Sequence, residues 1–179
     1  IDSHGLKVPE EVMHSVGVSA RSGEEKASYF SVHKCLAQWM HAQLRMHKAA
    51  YEYVIARGIS EQTIDQYQIG FFPGGNRAVQ QLLAVALKEH ILAKDFIEAG
   101  IFYDSGKTQL RSPFEDRIVF PITDSMGRFC GFGGRVFIAG DDRPKYYNSK
   151  ESPFFVKGSL LFGYSVAKKS MQERKAVFL

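Results

Sequence analysis

At Gly100 the apolar residues of this chain change their period, and that change sets what it can fold into. From about Tyr29, the residues Val32, Leu36, Trp39, Met40, Leu44, Tyr51, Val54 and Ile55 recur at helical spacing, which reads as one long helix. Gly58 stands where a left-handed cap would end it. Ser60 can cap a short helix over Glu61 to Tyr67, FFPGGN (71–76) reads as a turn, and Ala78 to Lys88 gives an amphipathic helix. One more short helix precedes Gly100. Beyond it, Ile101–Tyr103 and Gln109–Arg111 flank Asp104-Ser105-Gly106-Lys107 as a hairpin, and Arg117–Ile122 meets Arg128–Ile138 across the turn 123–127. The fold class is therefore α+β, an N-terminal helical segment followed by a mixed, largely antiparallel sheet. Pro121 fits a strand only at an edge or an irregularity, because it lacks an N–H. Residues 1–27 have no sustained periodicity and read as a flexible lead-in or linker, 28–174 as one subdomain, with a helix at Ser165–Glu173. The run Lys175–Leu179 reads as the first strand of a further α/β domain.

Charge is divided unevenly. The chain of 179 residues carries a net charge of +4, but residues 1–127 hold 13 basic and 15 acidic side chains while residues 128–179 hold 10 and 4. Such asymmetry points to a polyanionic partner for the C-terminal part, or to a solvated basic face. No apolar run is long enough to span a membrane, no signal peptide is evident, and the cytoplasm is the default compartment. Cys35 and Cys130 are too few for a disulfide framework or a structural zinc site. His33, His41 and His47 lack the spacing of a helical metal site.

The stretch Gly131–Lys157 concentrates the chemistry. Gly131, Gly133 and Gly134 interrupt a strand, which points either to a bulge or to close approach by another molecule; GFGGRV is not a dinucleotide fingerprint. Arg135 follows, and a guanidinium beside backbone donors takes phosphate oxygens in a bidentate manner. Arg143, Lys145, Tyr146, Tyr147 and Asn148 then supply cations for phosphates, rings for stacking and an amide for base edges or 2′-hydroxyls, a mixture suited to single strands. In an extended segment Lys145 and Tyr147 share one face and Tyr146 and Asn148 the other, so one tyrosine belongs to the core. Lys157 follows the apolar Phe154-Phe155-Val156 as a charge carried on a packed base. The Asp residues of the sheet-rich half sit mostly in turns, and no carboxylate cluster suited to holding the metal of nucleotide transfer is present. A binder of polyanions that does not transfer nucleotides by itself is the reading these residues support.

The motifs ARGISEQTIDQYQIGFFP (56–73), AGIF (99–102), FEDRIVFPITDSMGRFCGFGGRVF (114–137), RPKYYNSKESPFFVKGSLLFGYSVAKK (143–169) and AVFL (176–179) occur in a fixed order. Over roughly Ala49–Leu179 the chain closely resembles the bacterial DnaG-type DNA primases, in the N-terminal subdomain of their RNA polymerase core. The resemblance implies synthesis of short RNA primers on a single-stranded DNA template from ribonucleoside triphosphates. It implies work with a replicative helicase, contacted through a C-terminal region outside this chain. Magnesium or manganese would be held by a Toprim domain that opens at 175–179, and zinc by a zinc-ribbon module preceding residue 1. By the same resemblance Arg57, Arg135, Lys145, Tyr146, Asn148 and Lys157 match positions associated with template, primer or nucleotide binding. The fragment alone is expected to be inactive. Glu115 departs from the family's usual arginine, which reads as a lost phosphate contact, and Leu161-Phe162-Gly163 replaces LYG. The alternatives are a stand-alone single-strand binding module and a phosphate-binding metabolic enzyme, for which no pocket or base stands out.

Overall fold

The computed structural model describes residues 11–106 and 109–174, with side chains from residue 23 onward. Helix α1 (Glu11–Met46) is followed by α2 (Lys48–Ala56), α3 (Glu61–Gln66), strand β1 (Gly70–Phe72), α4 (Asn76–Leu87) and α5 (Ala93–Glu98). Then come the small hairpin β2 (Tyr103–Asp104) and β3 (Leu110–Arg111), the strands β4 (Arg117–Thr123), β5 (Phe129–Val136) and β6 (Tyr146–Asn148), a 3₁₀ turn at Lys157–Ser159 and α6 (Tyr164–Arg174). The four-stranded sheet has the order β1-β4-β5-β6, and its pairs are antiparallel. The α+β class is as the sequence reads, and so is the hairpin.

Four local readings change. Among the described residues helical backbone runs from Glu11, so residues 11–27 belong to α1, while residues 1–10 of the expected linker lie outside the described residues. Residues 23–28 are exposed, so this stretch has no apolar stripe for a period to reveal. The long helix is broken at His47, whose backbone leaves the helical region (φ −110°, ψ 91°) while its ring packs against Phe71 at 4.9 Å. The apolar rhythm runs through the break because Leu44, Ala50 and Val54 enter one cluster. Phe71 and Phe72, read as part of a turn, are strand residues paired with Ile118 and Arg117. Three residues are too few for alternation to show, and β1 is buried throughout. Finally, the glycines of β5 have no positive φ; the register shift lies one step before Gly131, where Ile122 faces Gly131 and Thr123 faces Phe129. The run 175–179 lies outside the described residues.

Pro121 is accommodated as its chemistry requires. Phe132, opposite it, donates its N–H to Ser149 Oγ (2.9 Å) and accepts from Ser149 N–H (2.9 Å), both on the β6 side. Pro121 and Phe132 are thus a non-hydrogen-bonded pair, and the missing donor faces the side where β1 has already ended at Gly70.

Helix α1 is the spine of the larger core. Val32, Leu36, Trp39 and Met40 pack with Phe72, Phe96, Phe114, Val119 and Phe132, while α4 adds Val79 and Leu82. Each fully buried phenylalanine contributes about 2 kcal/mol of hydrophobic stabilisation. On the other sheet face Leu44, Val54, Ile64, Phe71 and Ile118 form a second cluster, which seats α2 and α3. Ser60 caps α3 by accepting from Thr63 N–H (3.2 Å), and Gly58 takes the left-handed conformation (φ 79°) that ends α2. Tyr29 ties α1 to the far end of the sheet, donating to the Cys130 carbonyl (2.7 Å) and accepting from Ser152 Oγ (3.0 Å).

Inside this core lies His33, fully buried between Tyr29 and Phe132, with its ring stacked on Phe132 at 5.3 Å. Its Nδ1–H donates to the Tyr29 carbonyl (2.8 Å), which leaves the Nε2 lone pair without a partner. Burial pushes the imidazole pKa down to about 4. The unfolded chain therefore binds a proton between about pH 6.5 and 4 that the folded chain refuses, and acidification through that window removes up to about 3 kcal/mol. Urea titrations from pH 7 to 4 are expected to show this loss in the native chain and a flatter profile in His33→Leu. Equal pH slopes would assign the acid sensitivity to other groups.

Candidate nucleic-acid interface

Pairing in the sheet decides which side chains share a face. Phe71, Ile118, Arg135 and Tyr146 lie in one cross-strand row, and Phe120, Gly133 and Asn148 in the next on the same face. Tyr147 faces the other way, half-buried edge-to-face against Phe114 at 5.2 Å. Tyr146 is 60% exposed, so Tyr147 is the core tyrosine of the pair.

Arg57 arrives from another direction. It follows α2 directly, with its N–H bonded to the Tyr53 carbonyl (3.2 Å), and its guanidinium lies 5.1 Å from the centre of the Tyr53 ring. Arg135 stands 5.8 Å from the same ring and 5.5 Å from that of Tyr146, and the Lys145 amine lies 5.9 Å from Tyr146. Cations and rings therefore alternate in the order Arg57, Tyr53, Arg135, Tyr146, Lys145. Arg57, Tyr53, Arg135 and Lys145 border a groove of about 300 Å³ that also involves Val136–Ile138, Asp141 and Arg143. Each such contact contributes about 0.5–1 kcal/mol. Among the described residues Arg57, Arg135 and Lys145 form no ion pair, and the Arg135 Nε is buried without an acceptor.

Farther along the same face the glycines matter by their size. A side chain on Gly133 would begin 3.1 Å from Asn148 Oδ1, and one on Gly131 would run into the Phe155 ring at 2.8 Å. On the opposite face a Cβ at Gly134 would come within 3.0 Å of Phe114 and Arg117. The close approach expected at these glycines is thus made by the protein's own side chains. Phe155 is buried, and two residues on, Lys157 is exposed in the 3₁₀ turn, its N–H bonded to Glu151 Oε1 (3.0 Å). From Arg135 to Gly131 the strand covers about 13 Å, the length of roughly four nucleotides at the rise of a stacked strand. Arg57, Arg135, Lys145 and Tyr146 are brought together, Asn148 continues the line, and Lys157 follows the ring that closes its far end.

Two charged residues have other employment. Arg143 donates to the Glu115 carbonyl (2.7 Å) and is held by Asp141 (Nε to Oδ1 2.9 Å); the Arg143 side-chain and backbone bonds to Asp141 draw its carboxyl down to about 2. Glu115 points inward and is 2% exposed, so it occupies no place where an outward arginine could meet a phosphate. It accepts from Arg111 (2.7 Å) and from the Ser112 N–H (3.0 Å), while Asp116 accepts from Gly74 N–H (2.8 Å). Buried Arg117 donates to the carbonyls of Pro113 (3.0 Å) and Pro144 (2.8 Å), which fixes the segment carrying Lys145. Sequence reasoning missed Tyr53; its signal is the i, i+4 spacing to Arg57 on one helix face.

Burial works to raise the Glu115 pKa, but the Arg111 and Ser112 bonds outweigh it and the net shift is downward. Glu115 therefore stabilises the fold at neutral pH and loses that effect as pH falls below the ordinary carboxylate range. Glu115→Gln is expected to lower stability by about 2 kcal/mol at pH 7, measured by urea unfolding, with a smaller difference at pH 3.

The family described as the DNA primase catalytic core, N-terminal domain, matches residues 39–168. DNA primase of Haemophilus influenzae is 33% identical over 177 residues, which cover 98% of this chain and 29% of that protein. DNA primase of Pseudomonas putida is 40% identical over 131 residues, covering 70% of this chain and 19% of that one. Among solved structures, the Aquifex aeolicus primase, comprising zinc-binding and RNA polymerase domains, is similar with a TM-score of 0.75 at 31% identity, over 84% of this chain and 36% of that one. A DnaG primase catalytic domain bound to single-stranded DNA is similar with a TM-score of 0.70 at 30% identity, over 83% and 47%. This chain spans under a third of the length of those curated relatives. The cation-lined sheet face, the order of the motifs and these similarities place the chain in one family: it belongs to the N-terminal domains of the DnaG-type DNA primase catalytic core.

Proposed function

We propose that this chain is the nucleic-acid-binding wall of an enzyme that makes short RNA primers on single-stranded DNA from ribonucleoside triphosphates. The observation that carries this reading is the set of Arg57, Arg135 and Lys145, which converge on one groove with no carboxylate partner among the described residues. Guanidiniums and an ammonium so placed take phosphate oxygens, Tyr146 offers a ring to a base or sugar, and Asn148 offers an amide. Lys157 extends the track past Phe155. The similarity to a primase domain bound to single-stranded DNA supports the choice of ligand, and makes a stand-alone binding module the weaker reading.

In this reading residues 28–174 are the working subdomain, and 175–179 open a Toprim domain. The described residues contain no group of three His, Cys, Asp or Glu side chains able to hold a metal ion, so they do not fit the metals of primer synthesis. We assign magnesium or manganese to the Toprim carboxylates and zinc to a separate zinc-ribbon module. The chain alone binds and orients, and transfers no nucleotide. The RNA primer and ribonucleoside triphosphates share the groove, the replicative helicase binds elsewhere on the longer protein, and the work takes place in the cytoplasm.

Arg135→Ala and Lys145→Ala in the full enzyme are each expected to lower primer synthesis by tenfold or more, since a lost charged hydrogen bond is worth about 1.5–3 kcal/mol. Each is also expected to reduce the slope of log binding constant against log salt by about 0.7 on single-stranded DNA. Native binding and priming in both variants would remove the site assignment.

A further inference from the structure

We infer that Tyr53 is a positioning residue for the phosphate-binding pair Arg57 and Arg135; this inference rests on the function proposed above. One ring is approached by two guanidiniums, 5.1 Å away for Arg57 and 5.8 Å for Arg135. The two arginines come from unrelated elements, the end of α2 and the end of β5, and both reach the Tyr53 ring. Two like charges gathered on one ring repel one another, and the usual remedy in a protein is a carboxylate beside them. A carboxylate would also occupy the N–H donors and compete with an arriving phosphate. A ring face attracts a guanidinium through its quadrupole while leaving those donors unspent. The contrast within the same groove is Arg143, whose guanidinium is bonded to Asp141 through Nε and Nη2.

Tyr53 is itself fixed. It is half-buried on α2, packs with the cluster that seats this helix, and lies 5.5 Å from Phe137, which follows β5 directly. The ring therefore ties the helix end to the end of the strand that carries Arg135. Arg135 carries a buried Nε without an acceptor, so its side chain cannot be held there by a hydrogen bond from that atom. The Tyr146 ring also lies near Arg135, at 5.5 Å, and is itself 60% exposed, so it can meet a ligand. The Tyr53 hydroxyl takes no part in this arrangement, so the ring alone is required.

The test compares Tyr53→Phe and Tyr53→Leu with Arg57→Ala and Arg135→Ala in the full protein, by fluorescence anisotropy with a labelled oligothymidylate across a salt series. Tyr53→Phe is expected to bind within twofold of the native protein. Tyr53→Leu is expected to bind about fivefold more weakly with an unchanged salt slope, because no charge has been removed. Arg57→Ala and Arg135→Ala are expected to weaken binding and reduce the slope. Native affinity in Tyr53→Leu alongside weakened arginine variants would overturn the role of Tyr53 and leave the site intact. Native affinity in the arginine variants would instead overturn the site. A second readout needs no folding of the leucine variant: in the native protein the Nε–Hε resonances of Arg57 and Arg135 are expected to carry the ring-current shift of Tyr53. Unperturbed resonances would overturn the inference.

Discussion

The absence of one side chain, at Gly70, governs how this molecule is assembled. A Cβ there would lie 2.7 Å from the Met40 carbonyl carbon and 2.9 Å from the His41 nitrogen, so helix α1 rests with its backbone directly on the sheet. Contact at that distance lets Met40 and Leu36 reach Phe72 and Phe132 from one helix face. It also sets the height at which α1 ends and α2 departs after His47. The second cluster then holds α2 against Phe71 and Ile118, and the end of α2 delivers Arg57 to the row in which Arg135 stands. The groove is a consequence of this close helix-to-sheet packing, since its cations come from elements that only that packing brings together.

The glycines of β5 obey the same steric logic on a smaller scale. Phe155 lies over Gly131, Asn148 beside Gly133, and Phe114 with Arg117 over Gly134. A strand bearing three side chains in their place would push β6 and the 150–157 loop away, and with them Tyr146, Asn148 and Lys157. The missing atoms are thus used by packing: the glycines let Phe155, Asn148, Phe114 and Arg117 close onto the strand.

Much of this was legible in the sequence because local chemistry determined it. Gly58 and Ser60 announce a helix end and a helix start, the change of period at Gly100 announces the sheet, and the alternation through Lys145–Asn148 separates a core tyrosine from an exposed one. What stayed hidden depends on partners distant in sequence. Tyr53 looks like one more residue on an apolar helix face until Arg135, 82 positions later, is folded onto it. Glu115 reads as a missing surface cation because nothing in its neighbours says that its side chain turns inward onto Ser112 and Arg111. The strand at Gly70–Phe72 escaped because three buried residues have no alternation to display.

Strand β6 closes the sheet order, and it is only three residues long. Lys145, Tyr147 and Ser149 turn their backbone toward β5, so the backbone groups of Tyr146 and Asn148 face outward, the raw material for joining a second sheet. Lys145 and Lys150 bracket that short edge with positive charge, and a neighbouring copy would bring the same charges to meet them. Lys145, read here as a grip on phosphates, therefore also opposes edge-to-edge pairing at the end of the sheet that the described residues form. Selection on Lys145 for either purpose would serve the other.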